Sequence, residues 1–362
     1  GELAAGSGSH FLPPIMRHHD RERFELFAYS ANPFHVESNP YRPLFDHWQD
    51  VGSLTDDEIE GAIRHDTIDI LVDVSGHLPH RRLTVFGRKP APIQIAYPRY
   101  PGTTGVDAID YRLTDEWTDP TGQTETHYCE KLLRLPGGYL VYQPPEATPQ
   151  SGPLPALRNG YVTFGFFQTP LKLNSDVLDS LASILANVDN SRLLIHYAVN
   201  DFDRPGRHAR ERILQALAER NIDPARLTFR GPLPLYQHLG LVAETDIALD
   251  SFPYSGQTTT CECLWMGVPV VTLAGDRHAG RVSAAILRRA KLDDWVAESV
   301  PEYIAIAARK ASSVADLSAL RNSLRNQFAS SPVMDGARVA REIEAAYRSV
   351  WQEWCNQSHS PH

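Results

Sequence analysis

Tyr161-Val-Thr-Phe-Gly-Phe-Phe167, followed past Gln168-Thr169-Pro170 by a helical pattern from Ser175 to Val188, decides how the chain is read. Seven residues, nearly all apolar or β-branched, are too short for a helix and predict a strand buried on both faces. A helix directly after such a strand opens a parallel β-α unit. Toward the C-terminus the rhythm repeats, with strands at Arg192 to Val199, Leu227 to Phe229, Ile247 to Leu249 and Val268 to Leu273, and a helix at Ala209 to Arg220 among the helical sequence between them. The segment from residue 156 to 335 is therefore expected to be a doubly wound α/β domain.

Working back toward the N-terminus, Phe24 to Tyr29 (FELFAY), Ile68 to Val74 (IDILVDV), Gln94 to Tyr97 and Lys131 to Leu135 read as strands, with an amphipathic helix at Asp56 to Arg64. Residues 1–145 thus form a second parallel-sheet domain, Rossmann-like as well. Between the halves, Gln143-Pro144-Pro145 through Pro155 holds five prolines with Ser and Gly, and residues 146–155 are expected to be a linker. Two such domains facing each other leave a cleft at the C-terminal ends of their sheets, where open α/β folds bind ligands. Residues 336–362 are expected to hold a helix, from about Asp335 to Trp354, that packs back across, and then a tail. No internal repeat is present.

A chain of 362 residues is long enough for two domains with a sizeable core, and 42% hydrophobic against 22% charged residues rules out disorder for most of it. Lys plus Arg number 35 and Asp plus Glu 44, so the net charge of −9 argues against a nucleic-acid or anionic-membrane binder. No apolar run approaches the roughly 20 residues of a membrane span, and no signal sequence opens the chain. Cys129, Cys261, Cys263 and Cys355 make no disulfide framework, and Cys261-Glu-Cys263 lacks the second ligand pair of structural zinc, so a reducing, cytoplasmic setting is expected. Opening on Gly1 rather than Met, the chain reads as part of something longer.

The densest chemical signal is Asp250-Ser-Phe-Pro-Tyr-Ser-Gly256-Gln257-Thr258-Thr259-Thr260-Cys-Glu262, running on through Gly267 and Pro269 to Thr272. A strand feeds a Pro/Gly loop and then hydroxyl residues in the first turn of a helix, whose unpaired N–H groups and positive dipole end suit a diphosphate. Three threonines alone would be an ordinary N-cap. Neither a Walker lysine nor a GxGxxG fingerprint accompanies them, so triphosphatase and dinucleotide readings lose weight. Lys172, just before the helix at Ser175, comes to the same sheet edge in a doubly wound domain, although a lone lysine there is usually a solvated loop residue. His238, in Pro234-Leu-Tyr-Gln-His238, and His77, in Asp73-Val-Ser-Gly76-His77, follow strands; each taken alone is a surface or turn histidine. Asp201-Phe-Asp203 has the spacing of a metal-holding acidic pair but reads as a loop, and no histidine shows ligand spacing, so no metal is expected.

Together these blocks resemble the glycosyltransferase family of protein O-GlcNAc transferases and SPINDLY-type protein O-fucosyltransferases. The resemblance also covers Ile68 to His77, Arg88 to Gly105 (RKPAPIQIAYPRYPGTTG), Asp110 to Asp115 (DYRLTD), Tyr161 to Lys172 and Ala279 to Leu287, in order along nearly the whole chain. It implies a two-domain GT-B fold and inverting sugar transfer from a nucleotide sugar to Ser or Thr hydroxyls of a protein acceptor. It also implies tetratricopeptide repeats upstream. By its pattern Lys172 meets the donor diphosphate, His238 touches the nucleotide, Thr258 and Thr259 are the phosphate hydroxyl pair, Glu262 lies at the ribose, and Gly102 and Thr103 face the sugar. Three positions depart from it: Gly6 where the family has a histidine, Gln257 where O-GlcNAc transferases carry His, and Thr169 where they carry Gln.

The expected mechanism is direct displacement at the anomeric carbon, with charge on the leaving phosphate met by Lys172 and the helix at Thr258. His77 is the first choice of general base, with Asp73 or a water chain as alternatives. The donor is expected to be UDP-GlcNAc, with GDP-fucose as the alternative. Two further alternatives are a nucleotide-sugar-binding protein with little or no transfer, and a small-molecule glycosyltransferase or epimerase on the same fold.

Overall fold

A computed structural model of the chain describes residues 10–32, 39, 41–196 and 209–358. The chain forms two compact units, one of Gly1–Gln143 with Pro332–His362 and one of Pro144–Ser331.

The first unit opens with a short helix α1 (Pro13–Met16), β1 (Phe27–Ser30) and β2 (His47–Asp50), then α2 (Asp56–His65), β3 (Ile70–Asp73), α3 (Leu83–Gly87), β4 (Ile93–Ala96), β5 (Tyr111–Thr114) and β6 (Lys131–Arg134). Strands β1 and β2 pair with each other, and β3-β4-β5-β6 form a four-stranded sheet in sequential order; every pairing is parallel. Helix α2 starts where it does because Thr55 and Glu58 close a reciprocal capping box ahead of Asp56 and Asp57, while Arg64 and His65 suit the negative end of the dipole. Its Ile59 and Ile63, one turn apart, bury against Leu71, Val85, Phe86 and Ile109.

The second unit runs α4 (Pro155–Asn159), β7 (Val162–Phe166), α5 (Ser175–Asn187), β8 (Ser191–His196), α6 (Ala209–Ala218), β9 (Leu227–Arg230), α7 (Leu235–Ala243), β10 (Ile247–Leu249), α8 (Thr258–Trp265), β11 (Val270–Leu273), α9 (His278–Arg289), β12 (Val296–Ala297), α10 (Val300–Ala311) and α11 (Val314–Ala329). Its six strands are parallel in the order β12-β11-β10-β7-β8-β9. The chain leaves β7 in one direction through β8 and β9, then comes back to the other side of β7 with β10. That reversal is the switch point where doubly wound sheets hold ligands, outside the carboxyl ends of β7 and β10. The register Ile247↔Phe164 and Ala248↔Gly165 brings both strands to an end side by side.

Each strand read from the sequence is present, with its ends within three residues of the reading over the described residues, β10 unchanged and β9 one residue longer; residues 197–199 of the β8 reading lie outside the described residues, and β2, β5 and β12 are additional. The proline-rich stretch belongs to the second unit, where the guanidinium of Arg321 donates to the carbonyls of Ser151 at 2.6 Å and Gly152 at 3.1 Å, and Arg325 to that of Pro149 at 3.1 Å. The long C-terminal helix α12 (Gly336–Ser358) is part of the first unit. It packs on α1 and β4, burying Val339, Ala340 and Ile343. Glu344 there accepts from the backbone N–H of Asp20 at 2.8 Å and from His19 at 2.9 Å. Among the described residues no helix is long and apolar enough to cross a membrane.

Candidate functional site

In the second unit the loops leaving β7 and β10 meet. Lys172 closes a single turn, Pro170–Lys172, between β7 and α5, whose start is fixed by Asn174 capping the N–H of Val177. Lys172 is no solvated lysine. Its ammonium donates to Gln168 Oε1 at 3.0 Å and to the Ser255 carbonyl at 2.8 Å, with the Tyr254 ring centroid 4.0 Å away. Gln168 in turn donates through Nε2 to Asp250 Oδ1 at 3.0 Å and to Thr259 Oγ1 at 2.9 Å. Asp250 is buried, and its carboxylate also accepts from the N–H groups of Ser251 and Gly256 and from Thr272 Oγ1, each at 2.8 Å. Burial pushes the Asp250 carboxyl up and pulls the Lys172 ammonium down, and each charge partly restores the other.

Helix α8 is the spine of the site. Its N-cap is Gln257, which makes no side-chain capping bond, so the first-turn N–H groups of Thr258, Thr259 and Thr260 have no intrahelical or cap partner. The ordinary threonine cap is thereby excluded, and the expectation of hydroxyls in the first turn holds. Thr260 points the other way, its hydroxyl 2.6 Å from Ser283 Oγ on α9, and Ser283 donates to the Gly256 carbonyl at 3.0 Å. No side chain fits at Gly256: a Cβ there would lie 2.6 Å from Thr260 Oγ1 and 2.7 Å from Gln168 Nε2. One turn on, Glu262 is buried and its Oε2 lies 3.2 Å from His238 Nε2. Thr258 and Glu262 stand four residues apart on one face, about 6 Å along the axis.

His238 lies within α7 rather than ahead of it, and it is buried. Its ring stands edge-on to Phe167 at 6.1 Å and 4.9 Å from the ring of His196, the last residue of β8. A carboxylate only accepts, so His238 Nε2 donates to Glu262; Nδ1 is buried and has no hydrogen-bond partner. His196 follows the same logic, Nδ1 donating to the Arg230 carbonyl at 3.1 Å and Nε2 left bare. Burial and the neighbouring His238 pull His196 down to about 4, so it is neutral near pH 7. The second unit thus gathers Thr169, Lys172, His238, Gln257, Thr258, Thr259 and Glu262 around α8 and its neighbours. An N-terminal helix end beside an ammonium can hold a diphosphate, and the Glu262–His238 pair lies about one helical turn further along α8.

The first unit groups Asp73, His77, Gly102 and Thr103 in the same manner at the ends of β3 and β4. Asp73 is buried and accepts from the N–H groups of Ser75 at 3.1 Å and Gly76 at 2.7 Å. Gly76 has a φ of +52° and lies against Tyr100, where a Cβ would be 2.4 Å from that side chain. His77 is exposed, with Nε2 2.9 Å from the Thr104 carbonyl, so Nδ1 is its basic nitrogen. The loop holding Gly102 and Thr103 is tied down by two residues that sequence reading passed over. Arg112 is buried on β5 and donates to the Tyr100 carbonyl at 2.7 Å and the Gly102 carbonyl at 3.0 Å. Glu130 accepts from Thr103 Oγ1 at 2.8 Å and the Thr104 N–H at 2.6 Å; burial raises its carboxyl, but these hydrogen bonds more than offset that. Gly6, Asp201 and Asp203 lie outside the described residues. Among the described residues no cluster of three or more His, Cys, Asp or Glu is placed to hold a metal ion.

Gln168, Ser255, Ser283 and His196 were given no role from the sequence; the one signal was Gln168, a polar residue directly after a buried strand, whereas Ser255 lies in a loop, Ser283 within α9 and His196 at the end of β8. Comparison with known proteins follows the same outline. The model of Glycosyl transferase family 41 matches residues 2–146 and 153–343. A protein of Solanum lycopersicum named "Probable UDP-N-acetylglucosamine--peptide N-acetylglucosaminyltransferase SPINDLY" is 38% identical over 97% of this chain, and the SEC protein of the same description from Arabidopsis thaliana is 28% identical over 98%. The chain spans 38% and 36% of the length of those two relatives. The structure of an O-GlcNAc transferase mutant from Thermobaculum terrenum superposes with a TM-score of 0.91 at 37% identity, covering 99% of this chain and 67% of that one. With the family model matched over both units and the parallel sheets reproduced in that relative, the chain belongs to glycosyl transferase family 41.

Proposed function

We propose that this chain carries out inverting, metal-independent transfer of GlcNAc from UDP-GlcNAc to Ser or Thr hydroxyls of a protein. The observation that supports this most is the pairing of Lys172 with the uncapped start of α8, since both present N–H donors where the loops after β7 and β10 meet. In the displacement, the acceptor oxygen bonds to the anomeric carbon as the bond from that carbon to the β-phosphate oxygen breaks. The developing phosphate charge, at ~4 Å from an ammonium and an effective dielectric of ~20, gains about 4 kcal/mol. Thr258, Thr259 and Gln257 line the phosphates, Glu262 and His238 the nucleoside about one helical turn away, and Thr169 lies ahead of Lys172. Gly102 and Thr103 are assigned to the sugar. Of the two base candidates His77 is better suited than Asp73, because its Nδ1 is available while the Asp73 carboxylate is buried and already accepts two N–H groups.

A second reading, SPINDLY-like transfer from GDP-fucose, rests on the resemblance to SPINDLY-type proteins; the chain is 38% identical to one of that name and 28% to SEC, and both are described as using UDP-N-acetylglucosamine. Thermal shifts with UDP and with GDP separate the two, because a hundredfold excess over Kd stabilises by ~2.7 kcal/mol. Release of nucleoside diphosphate from each sugar nucleotide and labelling of an acceptor then test turnover, with and without EDTA. Stabilisation by a nucleotide with neither product would leave a binding protein. Loss of turnover on chelation, restored by manganese or magnesium, would refute metal independence.

A further inference from the structure

Lys172 and Asp250, a cation and an anion in one buried network, do not touch; Gln168 stands between them. Gln168 is 6% exposed and lies two residues beyond β7. Its amide orientation follows from its neighbours, since an ammonium can only donate and must face Oε1, while a carboxylate can only accept and must face Nε2. Counting protons shows what this leaves over. Of the three ammonium N–H groups of Lys172, one goes to Gln168 and one to the Ser255 carbonyl, so one remains without an oxygen acceptor, beside the Tyr254 ring at 4.0 Å. Thr259 Oγ1 accepts from Gln168, which leaves its own O–H to donate elsewhere. Asp250 is supplied by Gln168, Ser251, Gly256 and Thr272 and needs nothing from the lysine.

We infer that Gln168 is a positioning residue that interposes a neutral amide between Asp250 and Lys172, so that the ammonium keeps its charge and one N–H, and Thr259 its O–H, for an incoming diphosphate. This rests on the donor site proposed above. A direct ion pair would compete with the ligand for the same cation, and in a buried site that competition is strong. The amide passes on hydrogen bonding without passing on the charge.

The test is a double-mutant cycle on the whole chain, following release of UDP or GDP from whichever of UDP-GlcNAc and GDP-fucose the wild type turns over. Gln168→Glu keeps the shape and places a carboxylate against Lys172. It is expected to lower turnover about 10²-fold or more, the scale for losing one preorganised stabilising group, while nucleotide Kd changes less than tenfold. Because Gln168 acts through Lys172, the pair Lys172→Met and Gln168→Glu together should be slower than Lys172→Met alone by no more than about threefold. A merely structural role predicts the full product of the two losses, and that result overturns the inference. So does a folded Gln168→Glu protein within tenfold of wild type. Should Gln168→Glu not fold, Gln168→Met, of similar volume and without charge, takes its place, and turnover within threefold of wild type overturns the inference. A Lys172→Met protein with wild-type turnover refutes the donor site itself, and this inference with it.

Discussion

Replacing Gly256 by Ala adds one methyl group at the most crowded point of the site. The added carbon would sit 2.6 Å from Thr260 Oγ1, 2.7 Å from Gln168 Nε2 and 2.8 Å from Thr259 Oγ1, where ordinary contact begins at 3.4 Å. Each neighbour would have to retreat by roughly 0.6–0.8 Å, more than a packed interior yields without loss. The backbone cannot retreat instead, since the Gly256 N–H is held by Asp250 at 2.8 Å and its carbonyl by Ser283 at 3.0 Å. Overpacking costs about 1–3 kcal/mol and a lost hydrogen bond, Gln168 to Thr259 or Thr260 to Ser283, about 1 kcal/mol more. A total of about 2–4 kcal/mol corresponds to a fall in Tm of roughly 5–15 °C for a unit of this size. Gly240→Ala is the control: within α7 and with nothing inside 4 Å of the added carbon, it should gain about 0.5–1 kcal/mol. Urea and thermal unfolding of the three proteins, with nucleotide titration by calorimetry, give the comparison. If Gly256→Ala melts within 2 °C of wild type and binds UDP or GDP as tightly, the close packing described here is wrong.

Lys172→Met should lower turnover by roughly 10²–10³ while nucleotide affinity falls less, and a folded protein keeping more than a third of wild-type turnover refutes the assignment. Because burial holds Lys172 below the ordinary lysine value, kcat/KM of the wild type should decline on the alkaline side at a pH below about 10.4, and a limb absent up to that pH contradicts the burial argument. His196 titrates at about 4 when folded and near 6.5 when unfolded, so between these values the unfolded chain binds the extra proton and stability falls as pH drops. His196→Phe should remove up to ~3 kcal/mol of that loss; an unchanged dependence of the urea midpoint on pH from 7 to 4 would show that His196 is not shielded.

What could be read from the sequence was what has a local cause. The apolar runs of β7, β8, β10 and β11 announce buried strands, and Asn174 and the threonines from Thr258 mark helix starts. Elements without such a signature were passed over. His47-Trp-Gln-Asp50 alternates nothing and, among the described residues, pairs with β1 alone, with most of its side chains in solvent. In β5, Arg112, Leu113 and Thr114 are all buried, and Arg112 is a charge that no hydrophobic pattern places inside; it is tolerated because two loop carbonyls and the Tyr128 ring, 5.5 Å away, receive the guanidinium. His238 read as a surface or cap residue between a strand and the next helix, whereas Pro234 is the N-cap of α7 and His238 lies buried inside the helix.

The contacts of the site have no local cause at all. Gln168 and Thr259 are 91 positions apart, and Lys172 and Ser255 are 83 apart. They meet because β10 returns beside β7 instead of continuing past β9, and because the two strands align with Phe164 opposite Ile247. A slip of one residue in that register would move the loop after β10 by about 3.3 Å against the loop after β7. Such a shift carries the Ser255 carbonyl and Lys172 Nζ well beyond hydrogen-bond range. Register is in turn held by the side chains that the slip would turn inside out: Phe164 and Ile247 are both fully buried, and Gly165 leaves room for the ring of Phe167 where any Cβ would be 2.4 Å away. The donor geometry of Lys172 is therefore set by the packing of residues six to eight positions earlier in β7, and a change there that shifts the strand is expected to act on turnover before it acts on the fold.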